Sequence, residues 1–170
     1  MKGRYVREVG GKVRHTSSIV RKALFDSLNV EDKTFLELFC GSCVVSIEAL
    51  SRGAKEVHVV DVSGRSITVC KSNLKELGLI EKAKIYKTDA VRFVKSSGIS
   101  YDVVFMDPPY EFGLVSKVLK NMREDLVAED GTVVVEHSKR EHFEVPDFLK
   151  ILDIKHYGDT VLTFMKRITL

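Results

Sequence analysis

The feature that most constrains this chain is a series of short apolar runs that stop on acidic or small polar residues and alternate with helical stripes. "TFLELF" (Thr34 to Phe39), "EVHVV" (Glu56 to Val60) before Asp61, "KIYKTD" (ending on Asp89), "YDVVFMD" (ending on Asp107) and "TVVVEH" (Thr132 to His137) read as five strands. Between them run helical patterns: "SIEALSRGA", stopped by Gly53, and a stripe of Ile67, Cys70, Leu74 and Leu77 behind a Ser63 cap and closed by Gly78. A short helix from Ala90 to Lys95 and a stripe of Val115, Val118, Leu119 and Met122 complete the alternation. Strand–helix alternation of this kind packs the runs as a parallel sheet with helices on either side.

The two ends depart from that pattern. "YVREVGGKVR" places strand-like runs around Gly10-Gly11, a short N-terminal β-hairpin, and "HTSSIVRKALFDSL" then offers Val20, Leu24 and Leu28 behind a Thr16 or Ser17 cap. At the other end "KILDIKHY" and "TVLTFMK" flank Gly158-Asp159, which predicts an antiparallel hairpin. The expectation is one doubly wound α/β domain over residues 1–170, with a basic hairpin arm at 1–15 and a catalytic core at 16–170.

Charge is distributed unevenly. The formal net charge is +3, yet residues 1–22 carry seven basic side chains against Glu8 alone, while the other 148 carry 20 basic and 23 acidic. A basic arm on a mildly acidic body fits a phosphate-rich partner. No apolar run approaches the ~18 residues of a membrane span, and the charged start "MKGRYVREVGGK" lacks a signal region, so a soluble cytoplasmic protein is expected.

Open parallel sheets bind ligands beyond the carboxyl ends of their strands. A single aspartate there is ordinarily a helix cap or turn residue. Here Asp61, Asp89 and Asp107 recur at consecutive strand ends beside a tight turn, Gly41-Ser42. Asp61 lies 20 residues beyond Gly41, the spacing at which a carboxylate reaches ribose hydroxyls. Neither a phosphate-cradling glycine fingerprint nor a P-loop lysine is present, so the ligand expected is an adenosine without a pyrophosphate.

"DPPY" supplies the reaction. The Asp107 carboxylate and the Pro108 carbonyl are two acceptors held still by the prolines, and one exocyclic –NH₂ can donate to both. Such an amine is a poor nucleophile because its lone pair is delocalised into the base. Acceptors aligned on its hydrogens favour the pyramidal form and expose that lone pair, and positioning against a methyl donor does much of the rest. Tyr110 is suited to stack on the base, which must be flipped out if it lies in structured nucleic acid.

These residues resemble a known family. "ELFCGS", Asp61, Asp89 and "DPPY" are similar to class I S-adenosylmethionine-dependent N-methyltransferases. More narrowly, "LELFCGSCVVSIEALSRGA", "NLKELGL", "YDVVFMDPPY", "VVVEHS" and "YGDTVLTF" resemble the RsmD family, which methylates N2 of a guanine in 16S ribosomal RNA. The resemblance implies a mostly parallel seven-stranded sheet of the Rossmann-like kind, with the last strand antiparallel. It implies S-adenosylmethionine bordered by Glu37, Phe39, Gly41 and Ser42, its ribose on Asp61 and its adenine amine at Asp89 and Ala90. It implies the target amine at Asp107, Pro108, Pro109 and Tyr110, and 16S rRNA or a small-subunit particle as partner. Arg4, Arg7, Lys12, Arg14 and Arg21 are the candidates to grip RNA phosphates; no metal and no membrane are expected. The chain departs from the family at Cys43 and Ser46, where glycines are usual, and a left-handed backbone at position 43 would cost a side chain about 1–2 kcal/mol.

Three rivals stand beside this reading. Cys40-Gly-Ser-Cys43 after a strand admits a thiol–disulfide redox protein. The altered glycine loop admits a non-catalytic RNA-binding module. "DPPY" alone admits a DNA adenine or cytosine amine methylase, although few residues are left over for reading DNA. A single cysteine pair with no histidine at finger spacing does not make a zinc site, and the five histidines read as structural or surface.

Overall fold

The computed structural model describes residues 17–110 and 112–168. The expected N-terminal hairpin, the Thr16 cap and the phosphate-gripping candidates Arg4, Arg7, Lys12 and Arg14 lie outside these residues. Helix α1 (Ser18–Asp26) opens with Ser17 Oγ accepting from the Val20 N–H, so the predicted serine cap forms.

Strands β1 (Thr34–Leu38), β2 (Glu56–Asp61), β3 (Ala83–Lys87), β4 (Tyr101–Met106) and β5 (Val127–Ser138) run parallel. Strands β6 (Leu149–Tyr157) and β7 (Thr160–Arg167) form the expected hairpin around Gly158 (φ 61°), and β7 runs antiparallel to β5. The sheet has seven strands in the order β3-β2-β1-β4-β5-β7-β6. The order reverses between β1 and β4, the switch point at which two loops diverge and leave a crevice.

The helices divide between the two faces. On one, α1, α2 (Val44–Ser51) and α3 (Gly64–Glu76) pack Leu24, Phe25, Ala49 and Leu74 over Phe35, Val57 and Phe105. On the other, α4 (Ala90–Ser96) and α5 (Leu114–Asn121) pack Val94, Val115 and Leu119 over Leu38, Val104 and Met106. Successive β4 residues therefore enter opposite cores, and Val103 to Met106 are all 2% exposed or less. Each such side chain contributes roughly 1.5–3 kcal/mol by leaving water. That anchorage makes the end of β4 a rigid platform.

Some strand ends differ from expectation. β1 stops at Leu38 because Phe39 turns left-handed (φ 58°), and β3 stops at Lys87 because Asp89 belongs to the next helix. β5 begins five residues before Thr132. Its stretch Ala128 to Gly131, with Glu129 and Asp130 at its centre, bulges between the pairs Tyr101–Val127 and Val103–Thr132, with Asp130 at φ 60°. Polar residues in a bulge carry no apolar alternation, so the periodicity missed them.

Candidate functional site

The pairs Leu38–Val60 and Leu38–Met106 align the carboxyl ends of β1, β2 and β4. The residues following these ends form the site.

Asp61 ties two loops together. Its Oδ2 accepts from the Gly41 N–H and its Oδ1 from the Ser63 N–H, both at 2.9 Å. A carboxylate has about four acceptor sites, so two bonds leave capacity for ribose hydroxyls. Gly41 is left-handed (φ 53°), which lets its N–H turn to Asp61 at little steric cost. The next carbonyl, Ser42 O, accepts from Asn73 Nδ2 at 3.2 Å. Asn73 is 1% exposed on α3, beside the apolar stripe. This brace was not singled out from the sequence; an asparagine inside a helix next to its buried face is the signal that marks it.

Glu37 is 3% exposed and accepts from both the Ser46 N–H (3.0 Å) and the Ser46 hydroxyl (2.6 Å). Burial pushes its carboxyl well above the usual carboxylate range. The Ser46 bonds pull the other way, and the nearby Asp107 charge adds to the rise. Ser46, where the resemblance implies glycine, thus satisfies a buried carboxyl group.

Cys43, the other position where the resemblance implies glycine, is left-handed (φ 57°), as N-cap of α2. Its thiol is fully buried, 2.6 Å from Cys70 Sγ and 3.7 Å from Cys70 O. The added side chain therefore points into the core toward α3. The loop also keeps Ser42 Oγ buried without a hydrogen-bond partner among the described residues. Asp61 with spare acceptor sites, an unpartnered hydroxyl and a thiol turned inward fit a nucleoside ligand at this edge.

The same geometry bears on the redox rival. Cys40, Cys43 and Cys70 are free thiols in one buried cluster. The Cys70 hydrogen bond and burial push the Cys40 thiol up, and burial pushes Cys43 up. Hydrogen bonds from Cys40 and Cys43 lower Cys70 to about 5, but Cys70 is fully buried within α3. A dithiol enzyme needs an exposed, acidic attacking thiol, and neither member of the Cys-x-x-Cys provides one.

Asp89 is exposed and caps α4, its Oδ2 accepting from the Arg92 N–H at 3.1 Å; Ala90 behind it is buried. Val62, directly after Asp61, is 69% exposed. An apolar side chain held in water beside the Asp61 carboxylate offers a face to a ligand ring. Its sequence signal is a valine between a strand-end carboxylate and a cap serine.

Asp107 follows β4 and is half-buried, with Oδ1 enclosed; Pro108 is buried, Pro109 exposed and Tyr110 half-buried. The Tyr110 phenol donates to Thr160 Oγ1 at 3.1 Å. Phe112, two residues on, is 72% exposed. Arg21 lies on α1, outside this strand-end cluster in sequence and element. Among the described residues no group of three or more His, Cys, Asp or Glu side chains could hold a metal, and no helix is long and apolar enough to cross a membrane.

A seven-stranded α/β sheet with β7 antiparallel, an acidic edge and an Asp-Pro-Pro-Tyr turn after β4 defines a methyltransferase of the class I α/β kind. Comparison with known proteins narrows the class. The family model described as "Conserved hypothetical protein 95" matches residues 1–166, and the chain belongs to this family, the RsmD family. YlbH of Bacillus subtilis is 32% identical over 169 residues, 95% of this chain and 86% of YlbH. "Ribosomal RNA small subunit methyltransferase D" of Buchnera aphidicola (from Acyrthosiphon pisum) is 31% identical over 139 residues, 79% of this chain and 72% of that protein. The solved structure of yhhF from Escherichia coli superposes with a TM-score of 0.86 at 26% identity, covering 97% of this chain and 92% of that one.

Proposed function

We infer that the chain is an S-adenosylmethionine-dependent methyltransferase that modifies the exocyclic N2 amine of a guanine in small-subunit ribosomal RNA. The observation that carries this reading is the Asp107 to Tyr110 turn at the switch-point edge, beside the loops that Asp61 joins. The family and the name of the Buchnera relative point to the same substrate class.

The residues divide the work. Asp61 accepts from the ribose hydroxyls, Val62 covers one face of the adenine, and Asp89 with Ala90 borders its amine edge. Glu37, Phe39, Gly41 and Ser42 enclose the methionine end. When bound, the cofactor supplies an electrophilic methyl group. Asp107 and the Pro108 carbonyl accept the two amine hydrogens and aim the nitrogen lone pair, while Tyr110 stacks on the base. Asp107 need not be a strong base, because the amine proton can leave after transfer.

Incubation of small-subunit particles lacking the modification with labelled cofactor, followed by mass mapping of the rRNA, tests the reading. The expected product is one methylated guanine. Asp107→Ala should lose at least ~100-fold in transfer rate while binding cofactor as the parent does. Loss of cofactor binding instead would assign Asp107 to the cofactor. Label entering plasmid DNA but not the particles would replace RNA with DNA as substrate.

A further inference from the structure

Tyr110 is tied down at the far end of its ring. Its phenol donates to Thr160, fifty residues further along the chain. Thr160 is the first residue of β7, paired with Ser138 of β5 on one side and Tyr157 of β6 on the other. The turn before it is pinned as well. The Lys139 N–H donates to Asp159 O, and the Lys139 ammonium meets the Asp159 carboxylate, both at 2.9 Å. Thr160 Oγ1 thus stands at a junction of three strands. Tyr110 itself lies in a turn between β4 and α5, where the chain must reach Gly113 at φ 68° before the helix starts.

The geometry of a phenol makes this bond directional. Its oxygen lies on the Cβ–Cγ axis, so holding the oxygen fixes the direction of the ring. Its O–H lies in the ring plane by conjugation, so the direction of the donated bond also sets that plane. A stacking ring needs both to be set before the base arrives.

We propose that Thr160 is a positioning residue for methyl transfer: its hydroxyl orients the Tyr110 ring that receives the target base. This rests on the reading of Tyr110 as the stacking residue of an RNA amine methyltransferase. It couples the C-terminal hairpin to the reaction, a role that the Asp-Pro-Pro-Tyr turn by itself does not reveal.

The test compares Tyr110→Phe, Thr160→Val, their double variant, Thr160→Ser and Tyr110→Ala, assayed on unmodified small-subunit particles alongside cofactor affinity and melting temperature. Each of the first two variants should lower kcat about three- to tenfold, the range of one neutral hydrogen bond, with cofactor affinity unchanged. The double variant should be no slower than the worse single one, because both remove the same bond. Thr160→Ser, which keeps the hydroxyl, should restore the rate. Singles that run at the parental rate while Tyr110→Ala is impaired, losses that multiply in the double variant, or losses that Thr160→Ser fails to repair would overturn the proposal. Parental-rate transfer by Tyr110→Ala, or no transfer to RNA by the unaltered protein, would instead sink the reading on which it rests.

Discussion

Cys43 shows most clearly what one residue does here. Its left-handed backbone is the conformation that favours glycine, yet it carries a thiol buried against Cys70. Two effects oppose each other: backbone strain of about 1–2 kcal/mol and the packing of a small buried group. Cys43→Gly and Cys43→Ala both lose the packing, but only glycine relieves the strain. Glycine should therefore be the more stable of the two by about 1 kcal/mol, the reverse of the usual order for helix-forming residues, as read by denaturant unfolding. Equal stabilities would mean that the backbone leaves the left-handed region once the thiol is gone. Glu37 makes a second residue-scale case. Its carboxyl group is raised by burial, so the fold favours the protonated form. The stability this contributes is complete below the unfolded value near ~4.3 and is lost as pH rises through the raised folded value. Glu37→Gln keeps an oxygen to accept from Ser46 and has no charge to desolvate. Its stability relative to the parent should rise between pH 5 and pH 8, and a difference that is flat or falls with pH would contradict the assignment.

At the scale of elements, Asp61 and Asp89 looked alike in sequence, each near the end of an apolar run, yet they do different structural work. Asp61 is the last residue of β2 and bridges two loops. Asp89 stands two residues beyond β3 and caps α4. A cap and a ligand contact are compatible, because one carboxylate oxygen suffices for the cap. They separate by substitution. Asp89→Ser preserves a good cap but shortens the reach toward an adenine amine. It should unfold within about 0.5 kcal/mol of the parent yet bind S-adenosylmethionine more weakly by calorimetry. Unchanged affinity would leave Asp89 as a cap alone. The element types were legible because short apolar runs and helical stripes have different periods. Their ends were less legible, because Phe39 and the 128–131 bulge follow backbone conformation and have no hydrophobic pattern.

For the whole molecule, the uneven charge of the sequence, seven basic side chains against one acidic in residues 1–22, makes a testable prediction about RNA binding. The basic residues of the first 22 positions should release counterions from RNA phosphates on binding. Replacing Arg4, Arg7, Lys12 and Arg14 with neutral residues should make the fall of binding with salt shallower, by about one unit of log–log slope or less for each phosphate contact removed. An unchanged slope would move the phosphate contacts elsewhere on the surface.

By itself the sequence determined the α/β class, the Asp61 strand end, the Asp-Pro-Pro-Tyr turn and the C-terminal hairpin, because these depend on periodicity and on residues near one another in the chain. Tertiary structure decided the rest. Only packing shows that the Cys43 thiol turns into the core against Cys70, that Ser46 satisfies Glu37, and that Asn73 braces the Ser42 carbonyl. Only the placement of β7 beside β5 brings Thr160 to Tyr110. A strand's local pattern says that it will be buried; which distant side chain meets its end is settled when the sheet takes its order.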